Sequence, residues 1–223
     1  MAPLNKSQQN KRVPKKRLRV AFLAGTLGQG GAEKQLVYIV QGLLEAGVDV
    51  RVYSLTQNEF YEPALKSIGI SPIWIGKSGN IGARLVTLAK ELRTFRPHIL
   101  QAAHFYVNLY VSLIAPLYRA ISIGAVRNDL KHEMDANGRW GPWLVRLPNQ
   151  LLANSYAAKD NIPAIRDLAP INPDRMHVLP NVIDLEVFDR RAAENKTDLE
   201  LSEQPTVMTV CRLVPMKRLN KAV

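Results

Sequence analysis

Short apolar runs of strand length alternate along this chain with longer stretches of helical periodicity. That alternation confines it to parallel βαβ units, a sheet covered by helices on both faces. Residues 18–24 (LRVAFLA) are almost continuously apolar, as a strand buried on both faces must be. Gly30 and Gly31 then open a helix whose Leu36, Val40, Leu43 and Leu44 recur at three- and four-residue spacing, and Gly47 stops it. Residues 48–55 alternate as a second strand. A short helix at 63–68 leads to a third strand at 72–75, and a helix over 81–95 to a fourth at 98–102. A helix over 105–118 leads to a fifth strand at 121–126. Further strands follow at 150–153 and 176–179, with Ser155 as helix N-cap between them. The expected fold class is α/β, a doubly wound Rossmann-like parallel sheet.

Domain limits follow from where the pattern fails. Residues 1–17 form a basic leader, 18–188 the Rossmann-like domain, and 189–205, charged and without apolar periodicity, a linker. Residues 206–223 hold one more apolar run and a turn, too little to bury a core, and so read as the start of an incomplete second domain. Residues 107–126 have the length of a membrane span, but Asn108, Pro116 and Arg119 interrupt them, and a helix followed by a buried strand explains them better.

The net charge of +11 is concentrated at one end. Lys6, Lys11, Arg12, Lys15, Lys16, Arg17 and Arg19 precede residue 20 with no acid among them, so the globular part is only mildly basic. The leader suits an anionic membrane surface or a solvated tail. It has no aromatic residue to stack on bases, and no nucleic-acid partner is expected. Nor is it a secretory signal, because the apolar run that follows, 18–24, is short and ends at Gly25. The one cysteine, Cys211, makes neither an internal disulfide nor a structural zinc site.

Three stretches carry the chemistry. The first is Gly28-Gln29-Gly30-Gly31-Ala32-Glu33, between a strand and a helix. Glycines there let an anion approach the free N–H groups and positive dipole end of the helix, although a tight turn alone would also need them. Dinucleotide binding is refused, because the fingerprint needs glycine where Glu33 stands, and no Gly-Lys-Ser/Thr follows for a P-loop. The second is the pair of strand ends at 153–155 (ANS) and 179–188 (LPNVIDLEVF). The third is Arg212 and Lys217, two cations leaving one strand end, which would clamp a diphosphate or simply be solvated.

Taken in order, GQGGAEKQL (28–36), ANS (153–155), LPNVIDLEVF (179–188) and VCRLVPMKRLNKAV (210–223) resemble the retaining family 4 glycosyltransferases of the GT-B fold. The resemblance covers about residues 18–223. It implies two Rossmann-like domains facing a cleft, acceptor on the first and nucleotide-sugar donor mainly on the second. Residues 18–188 would be the acceptor-side domain, and residues 206–223 the first strand and turn of the donor-binding domain.

Carried over by position, Gly30 and Gly31 would approach the donor phosphate or the acceptor, and Arg212 and Lys217 would neutralise the leaving diphosphate. The co-substrate implied is a nucleoside diphosphate sugar, with no cofactor and no metal ion, and the acceptor a glycan or lipid-linked sugar. Where the family often has a histidine after the fifth strand, this chain has Arg127 and Asn128. These two and His104 are the cleft candidates. Cys211 replaces a glycine common in the family. The family's paired glutamates belong to the second domain and have no counterpart here, so no catalytic residue is assigned. The expectation is a cytoplasmic protein in peripheral contact with the inner face of the membrane, inactive as this fragment. The alternative is a non-catalytic, acceptor-binding or complex-forming remnant.

Overall fold

A computed structural model describes residues 17–160, 172–194 and 210. They divide into two compact units, with the boundary between Val182 and Ile183.

Among the described residues the first unit contains seven strands: β1 (Arg19–Ala24), β2 (Asp49–Ser54), β3 (Ile73–Trp74), β4 (Ile99–Ala102), β5 (Ile121–Val126), β6 (Gln150–Ala153) and β7 (Met176–Val178). They form one sheet in the order β3-β2-β1-β4-β5-β6-β7, every pair parallel. Its helices are α1 (Gly31–Glu45), α2 (Glu62–Ser67), α3 (Ile81–Phe95), α4 (Asn108–Ile114), α5 (Leu130–Ala136), α6 (Gly141–Arg146) and α7 (Tyr156–Asp160).

β1 shows why the sheet is covered twice. Ala21 and Leu23 pack with Leu88 and Leu92 of α3 and Val111 of α4, while Val20, Phe22 and Ala24 pack with Leu36 and Val40 of α1 and Leu65 of α2. Alternate side chains point to opposite faces, so a strand apolar from Val20 through Ala24 needs helices on both. A third cluster joins Leu130 and Met134 of α5 and Val145 of α6 to Leu151 and Ala153 of β6. Several polar side chains are buried among the described residues, and Asn108 is the least exposed of them. Asn108 is fully buried, and its amide donates to the carbonyls of Ala125 and Leu144 and accepts from the Ala125 N–H, so it carries no unpaired polar cost.

Several elements differ from the sequence reading. The helix expected over 105–118 is a 3-10 turn at Phe105–Val107, then α4, then a second turn at Ala115–Tyr118, because Pro116 removes a helical N–H. α5 and α6 lie in a stretch given no element. No helix among the described residues is long and apolar enough to cross a membrane.

The second unit's described part is α8 (Leu185–Glu194). The domain limit expected at residue 188 and the linker expected from 189 therefore cut through this helix. Its start is set by Asp184, whose Oδ1 accepts from Val187 N at 3.0 Å, an N-cap the charge-based reading passed over. The rest of that linker, the basic leader up to residue 16, and the strand and turn expected at 206–223 lie outside the described residues, Val210 excepted.

Candidate functional site

In an open parallel sheet, ligands lie beyond the carboxyl ends of the strands, where neighbouring connections leave in opposite directions. Here that switch point falls between β1 and β4, because the chain runs from β1 toward β2 on one side and from β4 toward β5 on the other. The loop after β1 carries Gly25 to Gly30, and the loop after β4 carries Ala103 and His104.

His104 ties these two loops together. The Gly25 N–H donates to its Nδ1 at 3.1 Å. A backbone N–H can only donate, so Nδ1 is the accepting nitrogen and the ring proton sits on Nε2. That nitrogen lies 3.2 Å from Glu33 Oε1. Glu33 stands in the first turn of α1, 7% exposed, where a negative charge complements the helix dipole. The His104 ring stacks on Tyr106, with ring centroids 5.8 Å apart.

Tyr106 is 42% exposed, yet its hydroxyl end lies over Gly25. A Cβ at residue 25 would stand 1.8 Å from Tyr106 Oη, so this glycine is required by close approach. Burial, then the carboxylates of Glu33 and Glu59, push the Tyr106 hydroxyl up to about 12, which keeps it a protonated donor.

Glu59 holds the other end of the glycine-rich loop. Its carboxylate accepts from the hydroxyls of Thr26 (2.9 Å) and Thr56 (2.5 Å) and from the Leu27 N–H. Thr26 Oγ1 in turn accepts from Gly28 N at 3.0 Å. The N–H groups of Gly25, Leu27 and Gly28 are thus consumed in fixing the loop.

The two glycines expected to approach a phosphate have different surroundings. A Cβ on Gly30, the N-cap of α1, would stand 2.2 Å from Glu33 Oε2, so glycine there makes room for a carboxylate of this chain. A Cβ on Gly31 would meet nothing within 4 Å. The open face of this helix end is therefore at Gly31.

Arg127 and Asn128 follow β5. Glu133 Oε1 accepts from Arg127 N (3.2 Å), Asn128 N (3.1 Å) and Asn128 Nδ2 (3.1 Å), while the Arg127 carbonyl accepts from Asn154 Nδ2 (2.8 Å). The Arg127 side chain reaches toward the neighbouring loop, where Nε donates to the Ala103 carbonyl at 3.3 Å. Burial pushes the Glu133 carboxyl up to about 7, against the opposing pull of those N–H donors. Asp129 caps α5, Oδ1 accepting from His132 N at 2.9 Å, and Ser155 caps α7 as its sequence suggests.

The sheet edge thus brings Gly30, Gly31, His104, Arg127 and Asn128 to one end of the first unit. Arg212 and Lys217, like Cys211, lie outside the described residues. Glu33, Glu59, Tyr106 and Glu133 were missed by sequence reasoning. The only signal of any of them was Glu33, standing where the dinucleotide fingerprint wants glycine.

Comparison with known proteins places these observations. The family model described as Glycosyltransferase Family 4 matches residues 29–187, well over half of the chain. No curated protein matches it in sequence. Among solved structures, HepE of Anabaena in complex with UDP and glucose is similar at a TM-score of 0.61 and 15% identity, over 81% of this chain and 50% of that one. The lipopolysaccharide outer core galactosyltransferase WaaB gives 0.58 at 15% identity, over 75% and 46%. MurG of Acinetobacter baumannii gives 0.53 at 15%, over 75% and 46%. At these low identities the structural similarity shows the fold alone, the Rossmann-like sheet of GT-B glycosyltransferases. The chain spans about half the length of the structures it matches.

Proposed function

The chain belongs to glycosyltransferase family 4, and from that premise we propose that it is the acceptor-side portion of an enzyme moving a sugar from a nucleoside diphosphate donor to a hydroxyl group with retention. The observation that carries this reading is the switch-point loop, fixed from below by His104 and Glu59 and open to ligand at Gly31. HepE has been seen with UDP-glucose and with UDP, which makes a uridine diphosphate sugar the first donor to try.

Each part has a chemical task. Gly31, at the first position of α1, gives a donor phosphate access to backbone N–H groups, while Gly30 admits the Glu33 carboxylate that holds His104. Arg212 and Lys217 neutralise the diphosphate as the glycosidic bond breaks, so no metal ion or other cofactor is required. His104, Arg127 and Asn128 face the acceptor side. The acceptor is a glycan or a lipid-linked sugar.

The enzyme works in the cytoplasm, in peripheral contact with the inner face of an anionic membrane. Seven basic residues before position 20 support this, as do Trp140 and Trp143, which are 56% and 51% exposed, with Arg139 stacked on Trp140. Sedimentation with vesicles containing a quarter phosphatidylglycerol tests the contact, and binding that persists unchanged in Trp140→Ala/Trp143→Ala with residues 1–16 removed counts against it.

The catalytic reading is tested by comparing the 223-residue chain with a protein extended through the coding sequence after codon 223. The extended protein is expected to release nucleoside diphosphate and form a product of unchanged anomeric configuration, read by proton NMR. The shorter chain is expected to do neither. An inverted product overturns retention, and turnover by the shorter chain overturns the need for a donor domain.

A further inference from the structure

Arg127 is held in an unusual way for a charged residue. Its backbone is fixed at both ends, the N–H on Glu133 and the carbonyl on Asn154, and its side chain is anchored by Nε on the Ala103 carbonyl. The guanidinium is partly buried at the carboxyl edge of β5, and burial pulls its proton affinity below the usual arginine range. Among the described residues neither Nη has an acceptor, and no carboxylate lies within ion-pair distance.

Glu133 is the acid whose charge acts on Arg127, and it is not the missing partner. Its Oε1 is shared by three N–H donors, none of them from the guanidinium, and its Oε2 is buried with no hydrogen bond among the described residues. A partly buried cation with four of its five N–H donors unused is unfavourable by itself. Two free Nη groups beside a fixed Nε form the planar fork that matches carboxylate and phosphate. The fork stands beside Ala103, next to His104 and the switch point.

We infer that Arg127, positioned by Ala103, Glu133 and Asn154, is the anchor of an oxyanion-binding site that takes a phosphate or carboxylate group carried by the sugar acceptor. The anion site stands on the geometry of this chain, and only the identity of its ligand as the acceptor rests on the function proposed above.

Thermal unfolding of the 223-residue chain, titrated with inorganic phosphate, glucose 1-phosphate and glucuronate at constant ionic strength, tests it. The wild-type chain is expected to show a saturable rise in Tm. Arg127→Gln is expected to begin from a higher Tm without anion and to lose the rise. Arg127→Lys keeps the charge but not the fork, and its affinity is expected to fall about tenfold. Arg93→Gln, on α3, is expected to respond as wild type. A stronger response to phosphates points to a phosphorylated acceptor, a stronger response to glucuronate to a carboxylated one, and both support the site.

An Arg127→Gln chain that responds like wild type, or a wild-type chain that responds to none of the three, overturns the proposal. Should Arg127→Gln not fold, unchanged affinity in Arg127→Lys overturns it instead. The assay contains no sugar nucleotide and needs no transfer. Its failure leaves the glycosyltransferase reading standing, and an inactive extended enzyme leaves the anion site standing.

Discussion

Gln35 and Val182, 147 residues apart, hold each other by two hydrogen bonds: Gln35 Nε2 donates to the Val182 carbonyl at 2.8 Å, and Val182 N donates to Gln35 Oε1 at 2.9 Å. One side-chain amide thereby completes both backbone groups of a residue beyond β7. Gln35 lies one turn into α1, so the helix that carries the glycine-rich loop is tied to the far end of the first unit. A residue of the family-like LPNVIDLEVF stretch thus serves to position the site as well as to continue the chain.

The pair predicts an order of substitution effects at residue 35. Gln35→Ala removes two hydrogen bonds and is expected to cost about 1–2 kcal/mol in urea unfolding. Gln35→Glu keeps an acceptor for the Val182 N–H but sets an oxygen against the Val182 carbonyl, and is expected to cost more than alanine. Amide exchange at Val182 should quicken in both. Glutamate tolerated as well as or better than alanine would show that the Gln35 donor does not matter.

The approach of Tyr106 to Gly25 gives a coupling that can be measured. With 1.8 Å between the required Cβ and Tyr106 Oη, Gly25→Ala must displace the ring and is expected to destabilise by about 1–3 kcal/mol. In a Tyr106→Ala background the same change should cost far less, leaving a coupling of about 1 kcal/mol or more. Additive losses would mean that the tyrosine already occupies another position in solution.

Much of this fold was legible because parallel strands are buried on both faces. Residues 20–24 and 121–126 advertise themselves by nearly continuous apolarity, and α1 and α3 by apolar residues three and four apart. α5 and α6 were not legible, since each has fewer than eight residues and Gly138, Gly141 and Pro142 interrupt any repeat between them. Residues 189–194 were read as linker from their charge, although the Asp184 cap and good helix formers continue α8. At the site, the glycines, His104, Arg127 and Asn128 could be named from strand ends. Glu59 and Glu33 could not, because Thr26 and His104, the partners that tie them to other loops, lie 33 and 71 residues away and only the parallel register brings them together.

Arg119 adopts left-handed backbone angles (φ 54°) after the turn at Ala115–Tyr118, a conformation that costs a non-glycine residue about 1–2 kcal/mol. Its side chain is exposed and makes no hydrogen bond or ion pair among the described residues, so little is lost by removing it. Glycine also brings about 0.5–1 kcal/mol of extra unfolded-state entropy. Arg119→Gly is therefore expected to stabilise by about 0.5 kcal/mol, seen as a higher urea midpoint with an unchanged slope. A lower midpoint would show that the guanidinium makes an interaction in solution that outweighs the relief.

Glu133 makes the stability of the first unit depend on pH in a direction opposite to that of a salt-bridged carboxylate. Its carboxyl rises from the ordinary 4.5 to about 7 in the folded chain, chiefly because burial disfavours the charge. Between those values the folded state holds a proton that the unfolded state has released, so stability falls as pH rises through that window. Below about pH 4.5 both states are protonated and the residue imposes no penalty. Above about pH 7 both are ionised and the buried charge costs on the order of 3 kcal/mol. Glu133→Gln keeps an oxygen for the Arg127 and Asn128 donors and cannot ionise. The stability of wild type relative to this variant, from urea unfolding between pH 4 and pH 8, is expected to decline across the window and level off on either side. Subtracting the variant's profile removes the contribution of every other titrating group. Parallel profiles would mean that Glu133 ionises as freely in the folded chain as in the unfolded one, and that its Oε2 is reached by water.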